Sequence, residues 1–289
     1  MLNTQNILLI LAAIYIIFLF SIAHILKNLY KKNNRYIENS YVYSLTLAVY
    51  CSTWTFYGAM GNAATVGIEY INIYIGPTLL IFTWWFLLRK IVRITKNNNV
   101  GSIAGLISFR YGKSKTIGIL VTIICLFGII PYMSLQLKAI NESISIISTN
   151  FYHTPPNIFS NGGFTPALLI GVMAAVFYTK HGGEQKMKPE LVGVVAFQAV
   201  FILLVMIIAG VYITYGLFDG ITDIFQQMSS HDNIFIREKF KNLTTMPSGS
   251  HAGSEWFALN LMSMFAIILL PRQFHMASVE NFDETHIAK

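Results

Sequence analysis

Residues 51–67, CSTWTFYGAMGNAATVG, gather small and polar side chains inside an otherwise apolar run. Ser52, Thr53, Thr55, Gly58, Gly61 and Asn62 are types that let a helix open at membrane depth. An opened turn frees backbone carbonyls, which bind a cation wherever protein or a water-filled cavity shields them from lipid. The same small residues also suit close packing of one helix on another, and both roles stay open at this point. Ser52, Trp54 and Tyr57 add polar tips that packing alone does not require.

Two other segments carry polar groups within apolar runs. In PYMSLQLKAINES, residues 131–143, Tyr132 and Gln136 are candidates for lining a pathway, whereas Lys138 and Glu142, four apart, are expected to pair on one helix face. Pro131 is expected to kink that helix. In FALNLMSMFAIILLPRQFH, residues 257–275, Asn260 and Ser263 share a face, where they bond a neighbouring helix or reach a solute.

Soluble-type chemistry is missing. Gly112-Lys113-Ser114 imitates the end of a phosphate-binding loop, but Ile107 occupies the required earlier glycine position. The histidines are dispersed without metal-ligand spacing, and Cys51 and Cys125 lie in apolar runs, so a metal site and a disulfide framework are not expected. No kinase catalytic domain fits, and no enzyme activity is expected.

The elements that must position these groups are membrane helices. Of 289 residues, 54% are hydrophobic and 11% charged, too few charges to cover a water-facing surface. Seven apolar runs are candidate spans, at about 7–26, 42–66, 70–88, 116–148, 166–180, 191–215 and 255–271, the fourth long and the fifth short for a crossing. The first is expected to be retained rather than cleaved, because no basic residue precedes it.

The net charge of +7 resides in short loops, which argues for helix orientation and against a nucleic-acid partner. Lys27 to Arg35 follow the first run, Arg89 to Lys115 the third, and Lys180 to Lys188 the fifth. The loops after the second and fourth runs have no basic residue. This alternation predicts a multi-pass protein of the plasma (inner) membrane with an outside N-terminus and a cytoplasmic C-terminus. The outer loop, 216–254, includes GLFDGITDIFQQM, which is expected to form a short helix. Residues 101–112 are expected to lie along the cytoplasmic interface.

The ordered stretches YSLTLAVYCSTWTFYGAMG, YIGPTLL, LLRKIVRI, SIAGLISFRYGKS and GIIPYMSLQLKAI resemble the sodium/solute symporter family. With LLPRQFHMASVEN they look most like the symporter-like N-terminal domain of bacterial membrane sensor histidine kinases. The resemblance implies a LeuT-type inverted-repeat fold. An extra helix at 7–26 would precede a first repeat at about 42–215, and a second repeat would begin at 255–289, so the chain looks truncated. Cation-binding carbonyls are then implied at Ala48 and Cys51. Some family members carry Asp between these positions; this chain has Tyr50, which weakens the case for sodium.

The implied function is transport of a small solute of the amino acid or carboxylate class, coupled to sodium. Ser52, Trp54, Gly58, Gly61, Gln136 and Asn260 would border the solute pathway. Expected partners are the lipid bilayer, the solute, and further helices or a kinase encoded downstream. The rival expectations are a nutrient-sensing input module of a two-component histidine kinase and an inactive remnant.

Overall fold

The computed structural model describes residues 4–50, 52, 58–148, 171–172, 188–245 and 252–288, and all regular structure among them is helical. Five segments are long and apolar enough to cross a bilayer: Ile10–Lys32, Ala59–Trp84, Lys115–Ile140, Pro189–Leu217 and Ala252–Leu269. The chain is a multi-pass helical membrane protein.

The first helix, α1 (Thr4–Lys32), extends past the expected end at 26. Nothing between Lys27 and Lys32 breaks a helix, and it stops where Asn33 accepts a hydrogen bond from the Arg35 amide and opens a short 3-10 turn. The expected second span, 42–66, is not one rod. It comprises α2 (Ser40–Thr46), capped by Asn39, then a 3-10 turn at Leu47–Tyr50, and finally α3 (Ala59–Val66).

Gly67 ends α3 at φ +80 and leads through a second 3-10 turn, Gly67–Ile71, into α4 (Asn72–Trp84). The expected third span therefore starts at 72 and stops near 84, short of 88. The next residues form α5 (Leu87–Asn97), whose apolar face packs Leu88 and Val92 against Ala277. Residues 101–112 supply the expected short helix, α6 (Ile103–Arg110), capped by Ser102. Gly112 (φ +67) and Lys113 (φ +59) turn the chain into α7. The phosphate-loop look-alike is thus a tight corner between helices.

α7 (Lys115–Ser148) continues through Pro131 without interruption. Lys138 and Glu142 pair at 3.6 Å as expected. The expected fifth span, 166–180, lies outside the described residues except for 171–172. α8 (Pro189–Tyr212) begins with Pro at its first position, where no amide donor is needed. Lys27 meets Glu190 at 3.4 Å, tying α1 to the start of α8.

The loop beyond α8 holds two helices rather than the single one expected, α9 (Ile221–Ser229) and α10 (Ile234–Thr244). α10 lies on the turn at Gly67, whose missing Cβ lets the Asn242 backbone approach. α11 (Ala252–Leu269) runs parallel to α4, as Asn72 faces Asn260 and Gly76 faces Ser263 and Met264. α12 (Pro271–Phe274) and a π turn at His275–Val279 follow.

Contacts sort these elements to two ends. Tyr43 donates to the Ala277 carbonyl at 2.8 Å, and Arg93 and Arg89 hold Glu284 at 2.9 and 3.4 Å. The Lys239 ammonium meets the Thr65 carbonyl at the opposite end. The chain from 43 to 66 therefore passes from one end to the other in two helical pieces.

The Arg93 guanidinium, donating to Glu284, holds that carboxyl below the ordinary carboxylate range. A depressed folded pKa contributes stability above the unfolded value, and this contribution fades as pH falls through the folded pKa. Docking of residues 283–288 on α5 is expected to persist at neutral pH and loosen in acid. The separation of spin labels introduced at Ile287 and Trp84, measured across pH, would check this; a separation that ignores pH, or Glu284→Gln behaving as the parent in neutral buffer, would contradict it.

Candidate site where two helix breaks adjoin

Each break has a local cause. After Thr46 the backbone tightens to 3-10, Ser52 is non-helical, and the chain is helical at Gly58, in a stretch rich in glycine and hydroxyl residues. At the other break Leu270 is extended (φ −62, ψ 125), because the ring of Pro271 clashes with a helical preceding residue.

These breaks touch each other. Gln273, 2% exposed, donates from Nε2 to the Leu47 carbonyl at 3.1 Å, while its Oε1 has no partner among the described residues. A carbonyl that would continue an α-helical ladder is thereby satisfied by a side chain from the other broken element.

One face of α7 meets both. Tyr132 and Gln136 are four residues apart and so lie on the same side. The Arg272 guanidinium donates to the Tyr132 hydroxyl at 2.9 Å and sits 5.4 Å from the ring centroid. The Gln136 amide reaches Ser52 Oγ at 3.5 Å. The break before Pro271 and the break around Ser52 are therefore stitched to α7 within one helical turn of each other.

Beside them a cavity of about 450 Å³ opens between the first break, α3, α4 and α11. Tyr50 from the 3-10 turn, Asn62, Glu69, Tyr70 and Asn72 supply its polar groups, and α4 and α11 contribute Ile73, Leu259, Met262 and Ala266. Its floor is bonded across helices. Asn260 Nδ2 donates to Asn72 Oδ1 at 2.9 Å, and Ser263 Oγ donates to the Asn72 carbonyl at 2.7 Å. Asn72 Nδ2 and Asn260 Oδ1 are buried without partners among the described residues.

The residues singled out from sequence divide accordingly. Ser52 and Gln136 come together, and Asn260 is buried against the cavity floor. Ala48 lies half-buried in the 3-10 turn, and Gly58 directly precedes α3. Gly61 is exposed on α3 with open space where a Cβ would go, so no close approach accounts for it. Cys51 and Trp54 lie outside the described residues. Gln273, Asn72 and Glu69 were not foreseen. For Gln273 the adjacent Pro271 was a usable signal, since a proline near a span end marks a break.

No protein-family profile matches the chain, and no solved structure matches it. Over 244 residues it is 26% identical to the protein named Uncharacterized symporter YhjB of Bacillus subtilis (strain 168). That stretch covers 83% of this chain and 45% of the relative, so the match spans less than half of the relative's length. The chain is a multi-pass helical membrane protein with a symporter among its relatives.

Proposed function

We propose that this chain forms the solute-binding half of a LeuT-type symporter that carries a small solute across the membrane, coupled to sodium. The contact between the two helix breaks carries this reading: Gln273 on one break bonds the Leu47 carbonyl on the other. Broken helices that meet near mid-membrane present unpaired backbone groups and polar side chains to a solute and its coupling ion. The symporter relative supports the reading. The carbonyls of Ala48 and Cys51 would face the ion, and the cavity beside Tyr50 would take the solute. The basic end of the bundle, with Arg89 and Arg93, would be cytoplasmic. Further helices would close the remaining wall, as the relative's greater length suggests.

Counterflow uptake of radiolabelled amino acids into vesicles tests this, with and without a sodium gradient, using this chain alone and together with the additional helices. Sodium-dependent uptake is expected in the completed form. Gln136→Ala and Asn260→Ala are each expected to weaken apparent solute affinity about tenfold, equivalent to losing one buried hydrogen bond. Unchanged affinity in both variants would exclude these groups from the pathway. Absence of uptake in every form would reject transport.

A further inference from the structure

Among the described residues Glu69 is the one carboxylate lining the cavity, and none of the described lining residues is basic. It lies half-buried in the 3-10 turn Gly67–Ile71 and has no ion-pair partner among the described residues. Lys239, on the α10 helix packed over this turn, directs its ammonium to the Thr65 carbonyl at 3.4 Å and lies 5.4 Å from the Phe235 ring.

A half-buried carboxylate without a counter-charge is costly, and a cation entering the cavity would relieve that cost. Two tyrosines of the lining, Tyr50 and Tyr70, bring aromatic rings to the same cavity, and aromatic faces attract cations that have shed part of their water. Apart from Asn62, Asn72 and Ser263 the rest of the wall is apolar, formed by Val66, Ile73, Leu259, Met262 and Ala266, which suits the carbon body of an organic cation better than a hydrated metal ion.

We infer that the cavity selects a small organic ammonium with an apolar body, recognised by Glu69 with Tyr50 and Tyr70 at the charge. This rests on the proposal that the cavity is the solute site, and it narrows the solute class. An amine or a zwitterion fits; a simple carboxylate is repelled by Glu69.

The test uses three probes of one shape that differ in charge: choline, its neutral isostere 3,3-dimethyl-1-butanol, and the anion 3,3-dimethylbutanoate. Each is titrated calorimetrically into the full 289-residue chain in lipid nanodiscs. Choline is expected to bind about tenfold tighter than the alcohol, and the anion most weakly. In Glu69→Gln the preference for choline over the alcohol should fall to about unity, with Glu69→Asp retaining part of it. A melting curve for each variant establishes that it is folded. Equal binding of all three probes, or a preference that survives Glu69→Gln, would overturn the ammonium assignment while leaving a solute cavity. Failure of every probe to bind wild type would overturn the cavity as a solute site as well.

Discussion

Gly76→Ala is expected to separate α4 from α11 and to be among the most damaging single methyl additions to the described bundle. A Cβ at Gly76 would overlap Ser263 Oγ and lie 2.5 Å from the Asn260 carbonyl and 2.7 Å from the Met264 amide. Side chains rotate out of such contacts, but two of these three partners are backbone, so an entire helix must shift. Overpacking costs about 1–3 kcal/mol where side chains absorb it, and a backbone clash belongs at or above the upper end. The displacement would also stretch the Asn72–Asn260 and Asn72–Ser263 hydrogen bonds. In a bilayer each is worth about 0.6–2 kcal/mol, because lipid gives helices little hydrophobic reason to associate and close packing carries much of the burden.

The control has the same chemistry and the opposite expectation. Gly128 on α7 has nothing within 4 Å of a Cβ, so Gly128→Ala should be neutral or stabilising by up to about 1 kcal/mol through helix propensity. Thermal unfolding in one detergent checks both. Equal melting temperatures for the two variants would mean that the α4–α11 contact does not hold the bundle together.

The helices were legible wherever one physical signal decided the outcome. Apolar length alone located α7 and α11 to within a few residues, because an uninterrupted run in lipid must be helical to satisfy its backbone. It failed at the end of α1, since Lys27, Lys31 and Lys32 are good helix formers whose charge suggested a loop. For 42–66 length was the wrong guide. Composition in the same stretch left helix opening and close packing both open; among the described residues Leu47–Tyr50 is 3-10 and Ser52 is non-helical. A hydropathy average does not see Gly67, which at φ +80 ends α3 and separates it from α4.

The site was half legible for a related reason. Asn260 and Ser263 stood out as polar residues three apart within an apolar run, and both are buried. Their partner Asn72 lay inside the expected 70–88 span, near its edge, and was not singled out. Whether an edge residue joins a core depends on which helix arrives beside it, and that is a tertiary fact. Glu69 was hidden similarly, since an acidic residue between two runs ordinarily faces water. It lines a cavity here because the turn at Gly67, held under α10, places it beside the α11 wall.

The second large effect is expected at Glu280, which is 3% exposed and fastens the segment after the second break to the rest of the bundle. Its Oε2 accepts from the Lys188 amide at 2.7 Å, and its Oε1 lies 3.1 Å from His275 Nε2. Lys188 directly precedes α8, where the first amides of a helix have no partner of their own and attract negative charge. Glu280→Ala removes a charge-assisted acceptor and strands that buried contact, so a loss of about 3 kcal/mol is expected. Glu280→Gln keeps an oxygen in reach of the Lys188 amide without the charge and should recover about half. His275→Ala should cost less than either loss at Glu280, because that ring is 30% exposed and water replaces its contact. The order Ala worst, Gln intermediate, His275→Ala mildest is read from melting temperatures. Protease cleavage within 275–288 should rise in the same order, since this segment carries Gln273's neighbours and the Glu284 clasp. Were Glu280→Ala to melt with the parent and resist protease equally, the second break would be held by the apolar cluster of Ile37, Val192 and Met276 rather than by its buried carboxylate.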